Sequence, residues 1–111
     1  MKLPNHHLAT IDIKKLRDYC LNPMHPVGRH KARVFKRILG VERKDAKFLR
    51  DLILTEISSA RTEEVFRDEF GIRYRCEIKI ELDTRSAKLV TIWILRWGFI
   101  QPALVTCYLK T

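Results

Sequence analysis

The sequence predicts an α+β domain in which two or three N-terminal helices pack on a three- to four-stranded antiparallel sheet wound as a meander. Three observations carry that reading. Apolar residues recur at helical spacing as far as about residue 60. From Ile72 to Leu82 they alternate strictly with charged residues, as on a half-buried strand. Gly71, Asp83-Thr84-Arg85-Ser86 and Gly98 then cut the second half into short segments joined by turns.

Taken in order, Leu3-Pro4-Asn5 opens as an extended arm. Asp12 is placed to cap a helix over about 13–21, with Ile13, Leu16, Tyr19 and Cys20 at helical spacing. A rigid turn follows, because Pro23 and Pro26 restrict φ and push Asn22 and His25 away from helical backbone. Gly28 leads into a basic helix over 29–39, and Gly40 stands where a helix-ending residue commonly sits. A longer helix is expected from Arg43 to Ala60, with Leu49, Leu52, Ile53, Ile57 and Ala60 in one stripe. Glu63 to Phe70 reads as an edge strand, and Ile72 to Leu82 as a strand with a charged outer face. Ala87 to Trp97 is apolar on both sides, which predicts a central strand covered on both faces for part of its length. Ala103 to Leu109 is the last strand, since Pro102 bars an earlier start. No repeat, linker or low-complexity run interrupts the chain, so residues 1–111 read as one domain. That length suffices for a modest core without metal or disulfide support.

The charge is large and lopsided. Net charge is +9, and residues 1–62 hold 14 Lys/Arg against 6 Asp/Glu, while residues 63–111 hold 8 against 7. A one-sided positive field points to an anionic partner: nucleic acid, an acidic protein or a phosphate-bearing ligand. Three widely spaced cysteines, Cys20, Cys76 and Cys107, form no CxxC pattern and read as reduced thiols of a cytoplasmic protein. The first residues lack the apolar run of a signal peptide, and no segment is apolar for long enough to span a bilayer, so no membrane partner is expected.

The stretch from Asn22 to Gly40 concentrates both preset backbone and charge. No acidic residue occurs between Asp18 and Glu42, while Arg29, Lys31, Arg33, Lys36 and Arg37 crowd one short helix. On a helical wheel Ala32, Phe35, Ile38 and Leu39 share the buried face, and Arg29, Arg33, Lys36 and Arg37 lie away from it. Lys31 lies four residues before Phe35, on the core side. Its ammonium must either snorkel outward along its stem or point into a polar cavity between helix and sheet. His30 sits in the first turn, where the helix dipole favours bound anions.

No metal or cofactor is expected: His6, His7, His25 and His30 show no i,i+4 pairing, and no glycine-rich phosphate loop is present. Cys20 and Cys107 read as structural thiols. What remains is a set of cations and hydroxyls: His30, Lys31, Thr106 and Tyr108 as candidate catalytic groups, and Arg29, Arg33, Arg37 and Arg75 as phosphate or substrate binders. Cleaving RNA requires a base for the 2′-hydroxyl, an acid for the leaving oxygen and cations for the phosphorane. Those residue types can provide all three without a carboxylate.

Leu3-Pro4-Asn5, the run from Lys15 to Pro23, the run from His25 to Phe35, and Leu104-Val105-Thr106-Cys107-Tyr108 together resemble an uncharacterised bacterial domain family of unknown function. The resemblance spans nearly the whole chain. More loosely, helices followed by a meander ending in Val105-Thr106-Cys107-Tyr108 are similar to the barnase–EndoU–colicin–RelE group of ribonucleases, many of them toxins. The glutamate base of the barnase type has no counterpart here. Joined to the cation-and-hydroxyl set, that resemblance implies a metal-independent endoribonuclease of toxin type acting on cytoplasmic RNA, with an acidic antitoxin-like protein as partner. The alternative is a non-catalytic basic module that binds nucleic acid or an acidic protein.

Overall fold

Asp12 caps the first helix, its Oδ1 accepting the Lys14 amide at 3.0 Å. In the computed structural model, which describes residues 1–111, this helix (α1) runs from Ile13 to Lys15 and widens into a π turn over Leu16–Cys20. The regular helix expected over about 13–21 is therefore replaced by a wider one. Leu21 donates to the Leu16 carbonyl at 2.8 Å, five residues back. The wider turn carries Leu16, Cys20 and Leu21 into the core together.

Helix α2 (Arg29–Leu39) begins against the backbone of α1. A Cβ at Gly28 would stand 2.1 Å from the Tyr19 carbonyl oxygen, so close approach requires glycine there. At the other end Gly40 adopts φ 68°, a left-handed conformation that glycine takes without strain, and donates to the Lys36 carbonyl. Ala32, Phe35 and Leu39 are buried and Ile38 is half-buried, as the wheel requires. The expected helix from Arg43 to Ala60 is shorter. Helix α3 spans Ala46–Glu56, with 3-10 turns over Arg43–Asp45 and Ile57–Ser59. A reciprocal capping box between Glu42 and Asp45 sets its start.

The sheet is β1 (Arg61–Arg67), β2 (Gly71–Leu82), β3 (Arg85–Arg96) and β4 (Ala103–Lys110), antiparallel throughout and in sequence order. The fold is thus α+β, with the helices N-terminal to a four-stranded meander. β1 stops before Phe70 because Asp68 Oδ1 accepts the Phe70 and Gly71 amides and closes a turn. The β2–β3 turn needs only Asp83 and Thr84, so β3 starts earlier than expected. Trp93 is fully buried at the centre of the helix-side core, its indole N–H donating to Thr91 Oγ1 at 2.8 Å.

The apolar second face of β3 has no second layer over it. Val90 and Ile94 are nonetheless buried, since long side chains of the neighbouring strands lie across that face. Arg73, for example, lies opposite Ile94 and spans from the Phe66 ring to Asp68. The N-terminal arm is also more folded than expected. Leu3 is buried, His6–Leu8 form a 3-10 turn, and Thr10 bridges to Ala103 at the edge of β4. No helix is long and apolar enough to cross a membrane.

Candidate functional site

The wide turn of α1, the first turn of α2 and the middle of β4 meet around Lys31. Its Nζ donates to Tyr19 Oη and to Thr106 Oγ1, each at 3.1 Å, and stands 4.7 Å from the centre of the Tyr19 ring. The side chain therefore takes the inward course rather than snorkelling away. No carboxylate pairs with it. Asp18 lines the same cleft but is held by Arg17 at 2.9 Å and Arg43 at 3.0 Å, which keep its carboxyl well below the usual range. The third N–H of Lys31 has no protein partner.

The cleft encloses about 570 Å³ and is lined by Lys14, Lys15, Tyr19, His25, Lys31 and Thr106 among others. His25 is fixed by the proline turn. Its Nδ1 accepts the amides of Val27 at 3.0 Å and Gly28 at 2.9 Å, and its ring meets Tyr19 edge-on with centres 4.8 Å apart. With Nδ1 occupied as an acceptor, the ring proton belongs on Nε2, which makes that atom a donor. Thr106 reaches the site through a bulge. Ile92 pairs with Thr106 and Trp93 with Leu104, so Val105 is the extra residue of β4. The bulge breaks strict alternation, and the consecutive residues Thr106 and Cys107 both reach Cys20.

Beneath this cleft Cys20 and Cys107 form a buried pair. Hydrogen bonding from Cys107 chiefly, with help from Thr106 and the Lys31 charge, lowers Cys20 from 9.0 to about 6 despite burial. Cys107 moves the opposite way, because it donates to Cys20 and is itself buried. Thr106 Oγ1 lies 3.7 Å from Cys20 Sγ and accepts from Lys31, so its own hydroxyl proton is available to the sulfur. The depressed Cys20 value means a stabilising contribution fully present above the unfolded pKa near 9 and lost as pH falls through about 6. Above pH 9 the raised Cys107 value works against stability, since the unfolded thiol ionises first. The unfolding midpoint should therefore climb between pH 6 and 9 more steeply in the native chain than in Cys20→Ser. Parallel profiles for the two would show that Cys20 does not ionise in the folded state.

The other expected residues are distributed around this cleft. His30 is exposed and lines an adjoining groove of about 370 Å³ with Lys31, Val34 and Tyr108, so Lys31 borders both spaces. Tyr108 borders that groove while its hydroxyl adjoins Arg75 on the outer face of the sheet. Arg29 folds back onto the Pro26 carbonyl. Arg33 and Arg37 are exposed on α2, with Arg33 facing a separate hollow beside Lys36 and Arg43. Arg75 lies across the sheet from Lys31, paired with Glu77 at 3.0 Å and Glu63 at 3.6 Å. The structure thus joins Lys31 to Thr106, sets His30 and Tyr108 beside them, and leaves Arg33, Arg37 and Arg75 apart. Tyr19, His25 and Cys20 are the members that sequence reasoning passed over. Pro26, which presets the backbone of His25, was the one available signal.

No three His, Cys, Asp or Glu side chains converge in the arrangement of a metal site. No curated protein and no solved structure matches the chain. A family model does match, over residues 2–111, and the chain belongs to that family, DUF6883, described as a domain of unknown function.

Proposed function

We propose that this protein is a metal-independent endoribonuclease of toxin type, with the scissile phosphate of RNA seated against Lys31. The observation that carries the reading is the Lys31 ammonium: half-buried, aimed by Tyr19 and Thr106, and unpaired with any carboxylate. A cation held in that state favours an anion that brings its own charge into the cleft. Lys14 and Lys15, also unpaired, suit the flanking phosphates.

In this reading the free N–H of Lys31 and Nε2–H of His25 donate to the non-bridging oxygens as charge grows on the phosphorane. His30, on the other side of Lys31, takes the proton of the 2′-hydroxyl as its oxygen bonds to phosphorus, and water from the open cleft protonates the 5′-oxygen as the P–O5′ bond breaks. The products are a 2′,3′-cyclic phosphate and a free 5′-hydroxyl. The same unpaired cations suit an acidic protein that would block the cleft, and the RNA is cytoplasmic. Arg75, tied up by two glutamates across the sheet, takes no part.

The test is incubation of the purified protein, at substoichiometric amounts, with single-stranded RNA in the presence and absence of chelator. Expected is chelator-resistant cleavage leaving cyclic phosphate ends, slowing as salt rises because phosphate binding releases counterions. Salt-dependent binding with intact RNA would make the protein a basic binding module instead. Absence of both binding and cleavage would refute the reading.

A further inference from the structure

We propose that a second copy of this chain docks on the rim formed by the β1–β2 and β3–β4 turns. Val65, Phe66, Phe70, Trp97, Phe99 and Ile100 are each between 49% and 63% exposed there. Isolated exposed apolar residues are normal, but six large ones at one end of a 111-residue chain form a patch.

The rim is rigid before anything binds. Trp97 donates through its backbone to the Phe70 carbonyl at 3.2 Å and through its indole to the Asp68 carbonyl at 2.9 Å, stapling one turn to the other. Arg73 lies over the Phe66 ring, and Asn5 holds the Ile100 carbonyl at 2.9 Å. Ordered aromatic side chains beside an arginine lose little entropy on docking, which is why such groups dominate interface energetics.

Charge decides the occupant. The chain carries +9, yet around this rim Glu64, Asp68 and Glu69 balance Arg67, Arg73 and Arg96. Two copies repel at most other approaches, and least where the local charge sums to zero. A strongly acidic partner would find no net attraction here. Area agrees. With aromatic side chains burying about 150–250 Å² each, the exposed fractions amount to roughly 500 Å² per copy, or about 1,000 Å² across a symmetric pair. That reaches the lower bound of about 1,000 Å² for a specific interface and implies a weak dimer. The rim shares no residue with the lining of the Lys31 cleft, so the inference is independent of the ribonuclease reading.

The experiment is sedimentation velocity on the full chain from about 1 µM to about 1 mM, a range covering modest affinities. Expected is a shift from monomer to dimer that added salt does not weaken. Phe99→Glu/Ile100→Glu should stay monomeric throughout, as should a separate Phe70→Glu variant in case the first folds poorly. Trp93 is already buried, so acrylamide quenching reports on Trp97, and its accessibility should fall as the native chain associates. A native chain that is monomeric over the whole range would overturn the proposal. So would a dimer that persists in both folded variants, or one in which Trp97 stays fully quenchable.

Discussion

Replacing Lys31 by Met should lower the rate of RNA cleavage by about 10²–10⁴-fold, the range expected when one group that acts on the transition state is removed. Methionine keeps most of the stem that runs between α2 and β4 and removes only the charge and its donors. Tyr19 Oη and Thr106 Oγ1 lose a partner, but both residues are part-exposed and can turn to water. Stability should accordingly change by no more than about 1 kcal/mol. RNA affinity should fall only modestly, because Lys14, Lys15 and the α2 arginines still provide the field. Single-turnover cleavage, filter binding and denaturant unfolding separate the three quantities. Arg75→Gln should leave the rate within about threefold, since its guanidinium is committed to Glu77 and Glu63 on the far face. A Lys31→Met variant that cleaves at the native rate would remove the proposed site.

The helix side that carries Lys31 was legible because it depends only on helical geometry: a residue four before Phe35 lies over the core stripe, whereas the choice between snorkelling and an inward course rests on its partners. Its partners were not. Tyr19 sits in an apolar helical stripe and looks like core, and the π turn that angles it towards α2 leaves no mark in the periodicity. His25 lies in a loop, where no repeat constrains side-chain direction; its role comes from two backbone amides accepted by Nδ1. Thr106 and Tyr108 have the i,i+2 spacing of one strand face. They pair in regular register with Ile92 and Val90, yet Thr106 Oγ1 accepts from Lys31 while the Tyr108 hydroxyl adjoins Arg75.

At the level of the fold, the same distinction holds. Period-two alternation from Ile72 to Leu82 predicts a strand with one buried face, and Tyr74, Cys76, Ile78 and Ile80 are buried as it requires. The doubly apolar β3 is buried on both faces at Val90 and Ile94, the cover on the second face coming from long side chains of the neighbouring strands. Boundaries moved where side chains captured backbone amides, at Asp45 before α3 and at Asp68 after β1. Such local hydrogen bonds compete with helix and strand over one or two residues, below the resolution of any pattern.

Phe35→Ala should destabilise the chain by about 3–5 kcal/mol, the usual cost of deleting a large buried aromatic ring where the surroundings collapse poorly. Phe35 is fully buried, and α2 packs on both β3 and β4. Its site has little freedom to close. The sheet side is fixed by Trp93, whose indole is tied to Thr91. The helix cannot slide inward, because its first turn already touches the Tyr19 carbonyl at Gly28. The Phe35 carbonyl also accepts from Val41, which holds the end of α2 in place. A loss of that size is a large share of the roughly 5–15 kcal/mol that stabilises a domain. At about 4 °C or more per kcal/mol, the thermal midpoint should fall by at least about 12 °C. Phe48→Ala, on the exposed side of α3, should cost less than about 1 kcal/mol and serves as the control. A Phe35→Ala loss under about 1 kcal/mol in chemical denaturation would mean that α2 is not anchored through this face. The position of Lys31, one helical turn earlier, would then need another explanation.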